Sequence, residues 1–291
     1  GARLNPNRRP PRLLSAERGN RGVPNYLYSL GREKAVATDV ICDDAVLLFT
    51  QYSTQWDALA HVGSTFDADG DGTAELVFYN GWRGHQDIRE PSESGEVDSN
   101  RMFGGAEASA LGIERMAETG VQGRGVLLDL QRHFGSSGGA VGYDLLVEVM
   151  DKDGIEVEEG DILCLHTGFG RLLLEMNGDP DPERLHRECA ALDGRDPALL
   201  DWITASGVAA IVADNYAVET YPARPCEGRC AALPLHEHCL FKLGIPLGEL
   251  WYLTELADWL RAHDRHRFLL TAPPLRLPGA VGSPVTPVAT V

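Results

Sequence analysis

The sequence has no stretch of about 18 consecutive apolar residues, so it offers no candidate membrane span. It is short of positive charge. Against 43 Asp and Glu stand 26 Lys and Arg, a formal net charge of -17 that repels phosphate backbones and argues against a nucleic-acid partner. Cysteine is sparse: Cys42, Cys164, Cys189, Cys226, Cys230 and Cys239 are scattered through 291 residues, a chain too large to need staples. Reduced thiols and a cytoplasmic location are therefore expected. Low-complexity tracts and internal repeats are missing too, which excludes fibrous and disordered classes. The Arg-rich start is not followed by an apolar segment, so no secretory signal is expected.

What is present suits one globular, enzyme-sized unit, with 43% hydrophobic and 24% charged residues. Positive charge gathers at Arg3, Arg8, Arg9, Arg12, Arg18 and Arg21, which defines an N-terminal arm over 1–30 ahead of a single domain over 31–291. The arm either lies against an acidic body or stays solvated. Strands are predicted at Val46–Phe49, Leu76–Tyr79, Gly125–Leu130, Asp161–Thr167, Val208–Ala213 and Phe268–Leu270. Helical spacing covers Ala110–Thr119, Tyr143–Met150, Pro197–Ser206 and Thr254–His263; the third has Asp196 as cap, Pro197 in its first turn and Gly207 as its stop. Alternation of the two predicts an α/β core. Polar, Gly-rich 84–105 and 135–142 read as surface loops. The second contains GSSGG without the Lys of a phosphate loop, and TGFGR at 167–171 lacks the third Gly of a dinucleotide fingerprint, so neither is assigned a nucleotide.

Chemistry concentrates at STQWDALAH, residues 53–61. Asp57 and His61, four apart, would share a helical face or meet across a tight turn, and a carboxylate beside an imidazole raises its basicity and fixes its tautomer. Gln51, Gln55, Asp57 and His61 together resemble the HxxxHxDxxxH signature of the cyclase family that includes kynurenine formamidase and isatin hydrolase, with glutamines in place of its first two histidines. GIERMAETGVQGRGVLLDL (112–130), GDILCLHTGF (160–169), DNYAVE (214–219), LPLHEH (233–238), GIPLGELWYLTELA (244–257) and APPLRLPGAVGSP near the end follow in the family's order.

The resemblance implies a swivelling β/β/α domain and a site holding zinc or manganese that activates water against an amide, lactam or lactone carbonyl of a small cyclic or aromatic compound. It implies Asp57, His61 and Glu249 as metal ligands, with His61, Glu249 and either His236 or His238 as catalytic groups, because the usual spacing falls on Glu237 between the two histidines. A homodimer or homotetramer is implied as well. The departures matter: an amide oxygen is a weak donor compared with imidazole, so Gln51 and Gln55 should weaken a dinuclear site and serve instead as substrate-binding groups. Two further readings stay open. One is a metal-independent cyclase, isomerase or lyase acting on a biosynthetic intermediate; the other is a non-enzymatic small-molecule binding protein.

Lesser candidates complete the picture. Trp56 and Trp251 would form an aromatic wall for a ring substrate, or else pack in the core. Asp214 and Glu219 would orient ligands from a loop, or cap a turn. Asp67, Asp69, Asp71 and Glu75 fall at positions of a DxDxDG loop suited to calcium, although Phe78 stands where an EF-hand has Glu. Cys226 and Cys230 read as two thiols rather than zinc ligands, and His166 reads either as a site group or as a satisfied strand histidine.

Overall fold

The computed structural model describes residues 8–91 and 104–291; Arg3 and most of the 84–105 loop expectation lie outside the described residues. The chain forms a mixed α/β fold around a curled eight-stranded sheet. In chain order its strands are β1 (Gln55–Asp57), β2 (Gln122–Asp129), β3 (Ile162–His166), β4 (Ala210–Ala213), β5 (Leu247–Glu249), β6 (Arg267–Thr271), β7 (Gly282–Pro284) and β8 (Val288–Thr290). Across the sheet they run β7-β1-β5-β4-β3-β2-β6-β8. The four central strands β2 to β5 are parallel, and both flanks are antiparallel.

The centre of the sheet is apolar throughout because both of its faces are covered, which is the usual condition of parallel strands. Alternate residues go to opposite layers. Leu128, Leu163, Leu165 and Ile211 pack against Leu146 and Val149 of helix Tyr143–Asp153 and Leu199 and Ile203 of helix Pro197–Ser206. On the other side Leu127, Ile162, Cys164 and Val212 meet Ala257 and Leu260 of helix Thr254–Ala262. The Pro197–Ser206 helix has the ends its sequence predicts: Asp196 accepts the Ala198 N–H, and Gly207 takes φ 67°. Among the described residues no helix is long and apolar enough to cross a membrane.

Three expectations change. Ala110–Thr119 shortens to a helix over Glu114–Thr119. The 135–142 loop contains a strand, Gly139–Val141, parallel to Ala190–Leu192. Within the predicted arm, Arg12–Ser15 pairs antiparallel with Asp44–Leu47. Cys226 and Cys230 are not two thiols but a disulfide, since a turn through Gly228 (φ 72°) brings their Cα atoms to 6.6 Å, within bridging reach. The other four cysteines are free. His166 is a satisfied strand histidine, its Nδ1 2.8 Å from Asp129 Oδ1.

Candidate active site

Pairing of β1 with β5 builds the site. The register sets Gln55 opposite Glu249, Trp56 opposite Gly248 and Asp57 opposite Leu247. With a side-chain period of two, Gln55, Asp57 and Glu249 project from one face and Trp56 from the other. The idea that Asp57 and His61 share a helical face is thereby corrected: Asp57 ends a strand, and His61 follows in a turn whose N–H bonds back to Ala58 O at 2.9 Å. Gln55 Nε2 donates to Glu249 Oε2 at 2.9 Å and to Asp57 Oδ1 at 3.3 Å, all three being buried.

His236 enters from a short helical turn opened by Pro234. Its Nε2 lies 3.1 Å from Glu249 Oε1 and its Nδ1 lies 2.8 Å from Glu219 Oε1. Glu219 also accepts the backbone N–H groups of Leu235 and His236, each at 3.0 Å, so it fixes both ring and turn. Burial alone would push the His236 imidazole down; hydrogen bonds to Glu219 and Glu249 outweigh it and hold the ring protonated, well above its ordinary value. Burial and then the charge of Asp57 push the Glu249 carboxyl up. His61 moves the other way, lowered mainly by burial, and is neutral at pH 7.

Ligand atoms of Asp57, His236 and Glu249 all lie within 4.8 Å of one another. Asp57 Oδ2 and Gln55 Oε1 are buried without any hydrogen-bond partner. A buried orphan oxygen costs about 1–3 kcal/mol, and a cation between these side chains would satisfy it. One imidazole and two carboxylates also form a donor set suited to zinc or manganese, so these residues fit a divalent metal. His61 stands at the edge of this set, its Nε2 3.9 Å from Asp57 Oδ1. Thr50 Oγ1 donates to Gln51 Oε1 at 2.8 Å, which turns Gln51 Nε2 toward His61 Nδ1 at 3.5 Å. That contact favours the tautomer with its proton on Nε2. Gly282 leaves room for this amide, since a Cβ there would press on Gln51 Nε2 and on Trp56 O.

A cavity of about 660 Å³ opens over these groups. It is lined by the polar Gln51, His61, His236, Glu249, Asp214 and Arg8 and by Tyr52, Leu173, Tyr216, Tyr221 and Tyr252. Asp214, held by Thr167 and by the Gly168 N–H, lies in the wall.

Other predicted site residues lie elsewhere. His238 turns its Nε2 to Leu200 O at 3.0 Å and Thr204 Oγ1 at 2.9 Å, away from the cavity. Trp56 and Trp251 are core residues and do not line it: Trp56 Nε1 donates to Ala272 O at 2.8 Å, Trp251 Nε1 to Gln55 O at 2.9 Å, and the rings meet edge to face at 5.0 Å. Asp67, Asp69 and Asp71 lie together, exposed in the hairpin turn between Ser64–Phe66 and Glu75–Val77, and each accepts backbone N–H bonds of that turn. Glu75 is not part of that group; its Oε2 accepts the Ala68 N–H at 2.9 Å and pairs with Arg83 at 2.8 Å. Sequence reasoning missed Arg8, and it left Glu219 as a general loop carboxylate. Nothing in the local sequence of either residue gives its position over the site.

Comparison with known proteins agrees with this architecture. The family model described as "Putative cyclase" matches residues 14–220, and the chain belongs to the cyclase family. A crystal structure described as a novel cyclase shares 30% identity with a TM-score of 0.70, covering 99% of this chain and 82% of that one. Isatin hydrolase A from Labrenzia aggregata, bound to benzyl benzoate, superposes with a TM-score of 0.56 at 11% identity over 96% of this chain and 82% of that one. The isatin hydrolase A of Ralstonia solanacearum gives 0.53 at 12%, over 95% and 86%. At such identities the latter two show a common fold. No match was found among curated proteins.

Since Glu219 orients the His236 ring from outside the cavity wall, its loss should be felt by any cation taken up between Asp57, His236 and Glu249. Glu219→Gln is expected to weaken zinc or manganese affinity about 10- to 100-fold, measured by competition with a chromogenic chelator. An unchanged affinity would remove Glu219 from the site.

Proposed function

We propose that this protein is a metal-assisted hydrolase that opens an amide, lactam or lactone bond in a small cyclic or aromatic compound, aryl formamides included. One observation supports it above the others: Asp57, His236 and Glu249 converge within 4.8 Å, the last two lining the cavity, with an unpartnered carboxylate oxygen among them. Asp57, His236 through Nε2, and Glu249 would hold the cation. When bound, such an ion polarises a carbonyl and lowers the pKa of a bound water. Glu219 keeps the His236 ring aimed, and the proton now on that ring must leave as metal binds. His61, neutral, takes a proton from the attacking water on Nδ1, its unprotonated nitrogen, in place of the 3.5 Å contact from Gln51, and gives that proton to the departing nitrogen or oxygen. The tyrosine and leucine wall receives the ring and excludes water.

A specific contact favours a second reading, a metal-independent cyclase, isomerase or lyase. The Gln55 amide nitrogen already bridges Asp57 and Glu249, where a cation would otherwise join them. Metal content separates the two readings. Protein purified without chelator is expected to carry about one zinc or manganese per chain by mass spectrometry, and to lose turnover of a lactam and aryl formamide panel on chelation. Metal-free protein whose turnover ignores chelation would sink the first reading and leave the second.

A second copy of the chain completes the proposal. The Arg12–Ser15 and Asp44–Leu47 ribbon exposes Leu13, Leu14 and Val46, and a two-stranded ribbon is marginal by itself, so a homodimer or homotetramer would cover it. The setting in this proposal is cytoplasmic, with Cys42, Cys164, Cys189 and Cys239 as free thiols and the Cys226–Cys230 disulfide as the exception to a reduced set.

A further inference from the structure

Arg8 reaches the catalytic cavity from the far N-terminal end of the described chain. Its Nη1 donates to the backbone carbonyl of Gln51 at 2.7 Å, in a partly buried contact that ties the segment to the turn before β1. It lines the cavity together with His61 and Glu249, and its charge acts on both. Among the described residues lining the cavity, Arg8 is the one arginine or lysine.

Many arginines of this protein settle on carboxylates, among them Arg18 on Glu33, Arg124 on Glu158 and Asp161, and Arg184 on Glu188, whereas Arg195 sits on the carbonyls of Arg224 and Ala231. Arg8 too is held by a neutral carbonyl and among the described residues makes no ion pair, in a chain with 43 acidic side chains, but unlike Arg195 it lines the cavity. A guanidinium that is partly desolvated, fixed through one N–H and turned to a cavity retains donors in a fork matched to a carboxylate. The same cavity is lined by Tyr52, Tyr216, Tyr221 and Tyr252, a surface for a flat ring.

We propose that Arg8 is the carboxylate anchor of this cavity, so that the ligand is a ring compound carrying an acid group. The proposal rests on the hydrolase reading for the cavity's role but not for its chemistry. That acid either arrives on the substrate or is created when the ring opens, because hydrolysis of a lactam or lactone releases a carboxylate. A compact cation at the same place would lack the fork, so Arg8→Lys should be a poor substitute.

Binding without turnover tests it and remains informative if the hydrolase reading fails. Three probes are titrated by calorimetry or ligand-observed NMR into wild type, Arg8→Gln and Arg8→Lys: neutral oxindole, oxindole-5-carboxylate, and the opened form 2-aminophenylacetate. Wild type is expected to bind at least one acid more tightly than oxindole. Arg8→Gln is expected to lose about 10- to 100-fold for that acid while oxindole is unchanged. A loss confined to oxindole-5-carboxylate assigns the acid to the substrate, and a loss confined to 2-aminophenylacetate assigns it to the opened product. The proposal is overturned if wild type has no preference for either acid, if Arg8→Gln leaves the preference intact, or if all three probes weaken alike, which would make Arg8 a strap for the cavity wall.

Discussion

His61→Ala is expected to lower kcat/KM by roughly 10²- to 10⁴-fold, the usual range for removing a positioned proton-transfer group. The ring is partly open to the cavity, with 22% of its side chain exposed, and it touches the ligand set only through the 3.9 Å approach to Asp57. Metal content should therefore survive the substitution, which separates proton transfer from ion binding. Burial, as the largest influence, lowers its pKa, so the neutral form is present at pH 7 and is lost as pH falls below the ordinary value of 6.5. The acid limb of the wild-type pH profile should accordingly lie below 6.5 and disappear in the variant. A His61→Ala protein with normal turnover, or with an unchanged acid limb, would remove His61 from the chemistry.

Trp56→Ala should be costly in a different currency. Trp56 is fully buried on the side of β1 opposite the cavity, stacked edge to face on Trp251 and hydrogen-bonded to Ala272 O. Truncating a buried Trp costs about 3–5 kcal/mol through lost contacts and the cavity left behind. The measurement is the denaturant midpoint at constant m-value. Trp56→Phe keeps most of the volume but strands the Ala272 carbonyl, at a cost of about 1–3 kcal/mol. If either variant kept wild-type stability and lost ligand affinity instead, Trp56 would belong to the binding wall after all.

The same β1 strand shows how much could be read in advance. The middle of the sheet was legible because long apolar runs such as ILCLH at 162–166 have no other use than burial on both faces. β1, β5 and β7 were not, since each is three residues long and carries site groups or glycine in place of an apolar pattern. Once β1 is a strand, alternation sends Gln55 and Asp57 into the site and Trp56 into the core. The choice between His236 and His238 has a similar origin. Two residues apart on a helical turn differ by roughly 200° of rotation, so only one of them can face Glu249.

Charge, family signature and the acid and imidazole types of the site were fixed by the order of the amino acids, because each depends on composition or on neighbours a few positions away. Tertiary structure alone decided that Asp57 meets a carboxylate 192 positions later, that Glu219 backs His236, and that Arg8 overhangs them. Those contacts depend on strand register and loop paths, and a linear spacing of that length places almost no limit on distance in space.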